Sequence, residues 1–130
     1  MFGFWRQRTF KDSQLGQFKR VRTMWFPATV QDGLYVSVEG DKERPSPEAV
    51  EVARQLLRSP KDLIRAADAF VRSDACAQEF IAGNGELVCD GFTVYKSGKF
   101  AVEFSLSEWP DAMISVAFEG AEPCSVSFGD

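Results

Sequence analysis

Carboxylates are the side chains most able to do chemistry in this sequence, because the chain contains no histidine. Its absence removes Ser-His-Asp and Cys-His nucleophiles, histidine acid–base catalysis and histidine metal ligands. Glu103, Glu108 and Asp111 lie close together in the sequence, and paired carboxylates can serve glycoside hydrolysis or bind a divalent metal. A solvated polar face is the simpler interpretation, since Glu103 falls on the polar side of its predicted strand and the others in the following turn.

No other motif indicates catalysis or a cofactor. Residues 83–86 are too short for a dinucleotide fingerprint and precede a predicted strand instead of a helix. Cys76, Cys89 and Cys124 are odd in number and have no C-x-x-C spacing, so we expect three reduced, buried thiols. We therefore predict no cofactor, no metal site and no enzymatic activity.

Charge is unevenly distributed along the chain. Residues 1–30 carry a net charge of +5, residues 31–72 carry −1, and residues 73–130 carry −8. The acidic C-terminal part disfavours nucleic acid, which clustered Lys and Arg bind, and favours a basic protein partner through electrostatic steering. The alternative is an acidic surface that serves only solubility.

A basic stretch near the N-terminus is the one candidate for nucleic-acid binding. Lys19, Arg20 and Arg22 are interleaved with aromatic residues, as in single-strand binders. Strand alternation would place Lys19 on the side opposite to Arg20 and Arg22, so the three charges do not share one face. We therefore expect no nucleic-acid binding.

A tryptophan in an acidic turn is the candidate anchor for a protein partner. Trp109 stands between Glu108 and a proline, and tryptophan is enriched among the residues that dominate interface energies. The predicted protein-binding site is Glu103, Glu108, Trp109 and Asp111. In the alternative, Trp109 folds back onto the core, where Trp5 and Trp25 are expected.

An α+β fold must position these residues. Strand-like segments come first, a helical period follows, and alternating strands return at the end. The predicted strands are residues 16–22, 24–30 and 34–39, the helices lie within residues 47–72, and the final strands lie within residues 87–128. Short turns imply an antiparallel meander with two or three helices on one face. We expect residues 1–130 to form one domain.

Local signals fix several boundaries. Asp32-Gly33 predicts a hairpin turn, and Pro27 suggests an edge strand or a bulge. Ser46 caps the first helix, and Ser59 opens a predicted capping box for the second. Ser73 begins a third short helix, which residues 83–85 end.

The first ten residues contain apolar side chains without forming an export signal. Phe2, Phe4 and Trp5 could add an irregular strand or a flap, and Arg6 and Arg8 interrupt the apolar residues. No apolar run approaches the roughly 20 residues that span a bilayer. We expect a cytoplasmic protein with no membrane association.

The layout resembles small bacterial immunity proteins of contact-dependent and polymorphic toxin systems, and uncharacterised bacterial families of similar size. The shared features are Leu15-Gly16 opening a strand, Trp25 on the next strand, the Ser46-Pro47 helix start, and a phenylalanine-rich meander ending at Phe128-Gly129-Asp130. The resemblance implies a non-catalytic protein that binds and blocks one toxin domain. Two alternatives stay open: a small carboxylate-based enzyme, and a homodimer that buries its aromatic surface against itself.

Overall fold

The computed structural model describes residues 9–130 and consists of one eight-stranded sheet and three helices. The strands are β1 (Thr9–Asp12), β2 (Gly16–Val21), β3 (Met24–Pro27), β4 (Tyr35–Glu39), β5 (Leu87–Val94), β6 (Phe100–Leu106), β7 (Trp109–Glu119) and β8 (Glu122–Gly129). The helices are α1 (Pro47–Arg58), α2 (Lys61–Ser73) and α3 (Ala75–Ile81). The α+β prediction is confirmed. Phe2, Phe4, Trp5, Arg6 and Arg8, with the strand or flap predicted there, lie outside the described residues.

The strands lie in the sheet in the order of the sequence. Six of the seven neighbouring pairs are antiparallel, as the short connections predict. The exception is β4, which pairs with β5 in parallel because all three helices intervene and return the chain in the same direction. The sheet is therefore two antiparallel meanders, β1–β4 and β5–β8, joined by one parallel pair.

Glycine makes that parallel junction possible. Gly91 pairs with Tyr35 on one side and Glu103 on the other, next to a bulge in β5. Its φ is +147°, and a Cβ there would lie 1.9 Å from the carbonyl oxygen of Tyr35. Only a residue without a side chain allows the two backbones to approach this closely.

The helices cover one face of the sheet and create a single core. Alternate strand residues point to this face and are almost completely buried, including Trp25, Val38 and Phe92. The Phe100 ring stacks on Phe118 with centroids 4.9 Å apart. Helix α1 packs on β4 and β5, whereas α2 and α3 pack on the last strands. Helices on one face were predicted, and this is confirmed.

One helix start agrees with its predicted cap, and two do not. The Ser46 side chain caps α1 by accepting from the Ala49 amide. The capping box predicted at Ser59 is wrong, because Ser59 is the C-cap of α1. Helix α2 begins after Pro60 and has no side-chain cap. The cap predicted at Ser73 is also wrong: Ser73 is the last residue of α2, and Asp74 caps α3 by accepting from the Ala77 amide.

Polar contacts add to the apolar core in the β1–β4 meander. Asp12 is buried, accepts from the Gln14 and Leu15 amides, and forms an ion pair with Arg54 of α1. Asp32 and Gly33 both have positive φ and form the predicted two-residue turn.

Two predictions about individual residues need correction. Pro27 lies on an internal strand instead of an edge, and the position tolerates it because β3 pairs with β4 only through Met24 and Trp25. The cysteines are free, but Cys76 and Cys124 are exposed rather than buried. Burial raises the pKa of Cys89 to about 11, so this thiol stays protonated at neutral pH.

Candidate functional site

The sheet face opposite the helices is the candidate site. We call it the open face, because no helix of the described chain packs on it. Over β4–β8 many of its residues are small or polar: Ser37, Gly91, Thr93, Ala101, Ser115, Ala117, Ser125 and Ser127. Val88 and Met113 add exposed apolar side chains to the same face. Small side chains make this part of the sheet a flat platform on which a few larger groups stand out.

Glu103 is the carboxylate at the centre of this platform. It is half-buried, pairs across the strands with Gly91 and Ser115, and accepts a hydrogen bond from the Thr93 hydroxyl at 2.7 Å. This bond holds the carboxylate in place, so a partner cation would meet a pre-organised acceptor. A second acid, Asp90, reaches the same face, where it accepts from the Ser105 hydroxyl at 3.0 Å.

Two tyrosines lie on the same face as the central carboxylate. Tyr35 and Tyr95 are each 38% exposed, and Tyr35 lies across Gly91 from Glu103 in the same row of the sheet. Partial burial raises the pKa of Tyr95, and the nearby charges of Glu103 and Glu39 raise it further. Half-exposed tyrosine next to fixed carboxylates combines apolar area with acceptors for a cationic side chain.

Acidic residues also meet directly at the end of the platform. Glu119 of β7 and Glu122 of β8 are cross-strand partners, and both are exposed. Like charges directly opposite one another destabilise a sheet. A cation bound between them would remove that repulsion.

The β1–β2 end of the open face has the opposite sign. Lys11 and Lys19 are exposed there and alternate with the buried Asp12 and Phe18. The face is therefore polarised, basic at its first strands and acidic over β4–β8. A partner would be attracted to the acidic platform only if its own surface were basic.

The structure separates the residues predicted as one site. Glu103 lies on the open face, whereas Trp109 pairs with Leu106 on the helix-covered side, half-buried, with its ring 5.0 Å from that of Phe80. Glu108 and Asp111 are exposed at and just after the β6–β7 turn. Trp109 thus occupies the core position that was its alternative, because strand pairing begins at this residue and fixes its direction.

Sequence reasoning did not select four members of this surface: Tyr35, Glu39, Thr93 and Tyr95. The signal was present for Tyr35 and Glu39, which alternate with apolar Val36 and Val38 in the sequence. Their proximity to Glu103 was not accessible, because it depends on the parallel β4–β5 pairing across 47 intervening helical and loop residues between Glu39 and Leu87.

No protein family, curated protein or solved structure matched the chain. Among residues 9–130, no cluster of three Cys, Asp or Glu side chains could hold a metal ion. No helix in the described part of the chain is long and apolar enough to cross a bilayer.

Proposed function

We propose that this protein is a non-catalytic binding domain that attaches to a basic protein and blocks it, with a toxin domain as the best candidate. The observation that carries the proposal is the acidic open face over β4–β8, which bears the fixed Glu103 carboxylate together with the part-exposed Tyr35 and Tyr95.

The shape of the open face favours a protein over a small molecule. Small-molecule sites are concave and enclose most of their ligand, whereas Ser, Ala and Thr side chains make this platform flat. Protein interfaces depend on a few aromatic anchors surrounded by nearly neutral contacts. Tyr95 and Tyr35 supply such anchors, and the serine rows supply the surrounding contacts.

The charge favours a basic partner. Residues 73–130 carry a net charge of −8, and the carboxylates of Glu103, Glu119 and Glu122 lie on or beside the platform. Their field would steer a cationic protein and orient it before contact, and rim charges act mainly on the association rate. An acidic inhibitor could cover the cationic surface with which a nuclease holds phosphate.

A toxin-blocking role would place the protein in the cytoplasm of the cell that it protects. Free, exposed thiols at Cys76 and Cys124 suit that reducing compartment. In this proposal Trp109 contributes to the core and lies outside the binding surface, while Glu108 and Asp111 add only to the steering field.

The test is affinity capture from the source cell with the full chain as bait, followed by binding kinetics with the captured protein. Tyr95→Ala should speed dissociation about tenfold or more, because it removes an anchor. Glu103→Gln should weaken binding, whereas Glu79→Gln on α3 removes the same charge away from the open face and should not. Equal effects of Glu103→Gln and Glu79→Gln, or capture of an acidic protein, would contradict the proposal.

A further inference from the structure

The last strand of the sheet leaves one backbone edge without a partner in the described chain. Strand β8 pairs with β7 alone, and residues 9–130 supply no strand on its other side. Most of its residues are exposed, including Cys124, Ser125 and Ser127, and Phe128 is 39% exposed. An edge of this kind presents a row of free N–H and C=O groups.

Natural edge strands usually carry features that prevent pairing with another chain, and part of β8 lacks them. These features include charged side chains, proline and bulges. Proline and a bulge occur at the start of β8, where Pro123 precedes Cys124 and the register shifts. Ser125–Gly129 has no charge, no proline and no bulge. At about 3.3 Å per residue, this segment provides roughly 17 Å of edge without a feature that prevents pairing.

The first edge strand shows the contrast. Strand β1 has four residues and includes the exposed Lys11. A short, charged strand is a poor template for a further strand. Among the described residues, the β1 edge is therefore poorly suited to pairing with another strand, whereas the Ser125–Gly129 part of the β8 edge is suited to it.

Charge decides which occupant fits the open edge. Glu122 lies at the start of β8 and Asp130 directly after its end. A second copy in antiparallel pairing would bring these acids towards their counterparts, and each copy would add the −8 of residues 73–130. Like charges across a strand pair are unfavourable, so the edge fits a strand with basic ends.

We infer that Ser125–Gly129 is a strand-addition site, where an extended, basic segment of the partner protein joins the sheet next to β8. Backbone hydrogen bonds would provide attachment, and alternate side chains would provide specificity. Val126 and Phe128 continue the helix-side apolar surface, while Ser125 and Ser127 continue the open face. The segment would carry apolar side chains on the helix side and Lys or Arg near Glu122 and Asp130. The inference rests on the proposed function, because it names how the basic partner is held.

The direct test uses the ¹⁵N-labelled full chain and a capped peptide, Lys-Thr-Val-Thr-Val-Thr-Lys. At about 1 mM peptide, a concentration suited to weak complexes, alternate amide protons within Ser125–Gly129 should shift downfield and saturate. The same peptide with Glu in place of both Lys should bind about tenfold more weakly. Shifts confined to the Tyr35 and Tyr95 region, or no saturable shift with the Lys peptide, would overturn the inference.

Two proline variants provide a matched pair. Neighbouring amides on a strand point in opposite directions, so of Val126→Pro and Ser127→Pro one removes an outward N–H and the other a bond to β7. Thermal unfolding identifies the variant that keeps its stability. That variant should lose peptide binding by about tenfold or more. Retained binding would contradict the inference.

The remaining outcomes separate this inference from the proposed function. If the fold-competent proline variant captures the cellular partner as well as the wild type while Tyr95→Ala does not, the open face binds the partner and the strand-addition site is refuted. If β8 amides shift with chain concentration and sedimentation detects a dimer without peptide, the occupant is a second copy, and the basic-segment inference is wrong.

Discussion

The two meanders of the sheet are stabilised differently. Strands β1–β4 have four to six residues, and their contact with α1 includes the part-buried Asp12–Arg54 ion pair. Strands β5–β8 have seven to eleven residues and pack through an apolar row in which Phe100 lies against Phe92 and Phe118.

This difference assigns separate roles to the two parts of the molecule. A rigid, apolar second meander can hold the open-face carboxylates in fixed positions, as a binding surface requires. The first meander has a smaller aromatic cluster of Phe10, Phe18 and Trp25, and it adds a charged contact with α1 and the junction at Gly91. Changes at the junction should therefore affect the whole sheet, and changes within one meander should have local effects.

The largest expected effect comes from breaking the junction. Gly91→Val should destabilise the protein by more than about 4 kcal/mol, because its Cβ would collide with the Tyr35 backbone. Chemical denaturation measures the loss. Gly120→Ala is the control: Gly120 also has positive φ, at 61°, but a Cβ there meets nothing within 4 Å, so about 1 kcal/mol is expected. Similar losses for both variants would show that close strand approach is unimportant.

Removing the ion pair of the first meander should have the next largest effect. Asp12→Ala removes the Arg54 ion pair and leaves the Gln14 and Leu15 amides without their acceptor, so it should cost about 3 kcal/mol. Amide exchange should rise in β1 and β2 while β6 and β7 keep their protection. Asp68→Ala breaks the exposed pair with Arg72 on α2 and should cost under about 1 kcal/mol.

The same carboxylate should make stability depend on pH. The Arg54 side chain lowers the pKa of Asp12 below 3.8, against the effect of burial and with help from the Leu15 and Gln14 amides. Because the folded pKa is depressed, the contribution of ionised Asp12 to the free energy of unfolding is complete above pH 3.8 and is lost as the pH falls through the folded pKa. The stability difference between wild type and Asp12→Ala should shrink in that range. A constant difference would exclude Asp12 as the titrating group.

Two aromatic residues of the second meander should differ in what they affect. Trp109→Ala should cost about 2 kcal/mol, because it opens the cluster with Phe80 and Phe128. Tyr95→Ala, on the open face, should cost less than about 1 kcal/mol. Thermal unfolding of both variants provides the comparison. A larger loss of stability for Tyr95→Ala than for Trp109→Ala would place Tyr95 in the core and Trp109 on the binding surface.

The sequence predicts the elements better than it predicts their assembly. Alternation identifies the apolar face of β4, β6 and β7, and Ser46-Pro47 identifies the start of α1, because these signals are local. The parallel β4–β5 junction depends on contacts far apart in the chain, and Gly91 has no side chain to indicate its role. The candidate site was predicted only at Glu103, because the strand pairing that brings Tyr35 and Tyr95 to it cannot be read from spacing.

The smallest expected effect tests whether stability and binding conflict on the open face. Glu122→Lys converts the repulsive pair with Glu119 into an attractive one, so the free energy of unfolding should rise by about 0.5 kcal/mol. The same change should slow association with the captured partner, and the slowing should diminish as salt screens charges over about 10 Å. Glu79→Lys, an equal change at an exposed position of α3, should alter neither quantity as much. If Glu122→Lys stabilises the protein without slowing association, Glu122 lies outside the interface. If the change slows association and destabilises the protein, the repulsion between Glu119 and Glu122 is already relieved within the free protein.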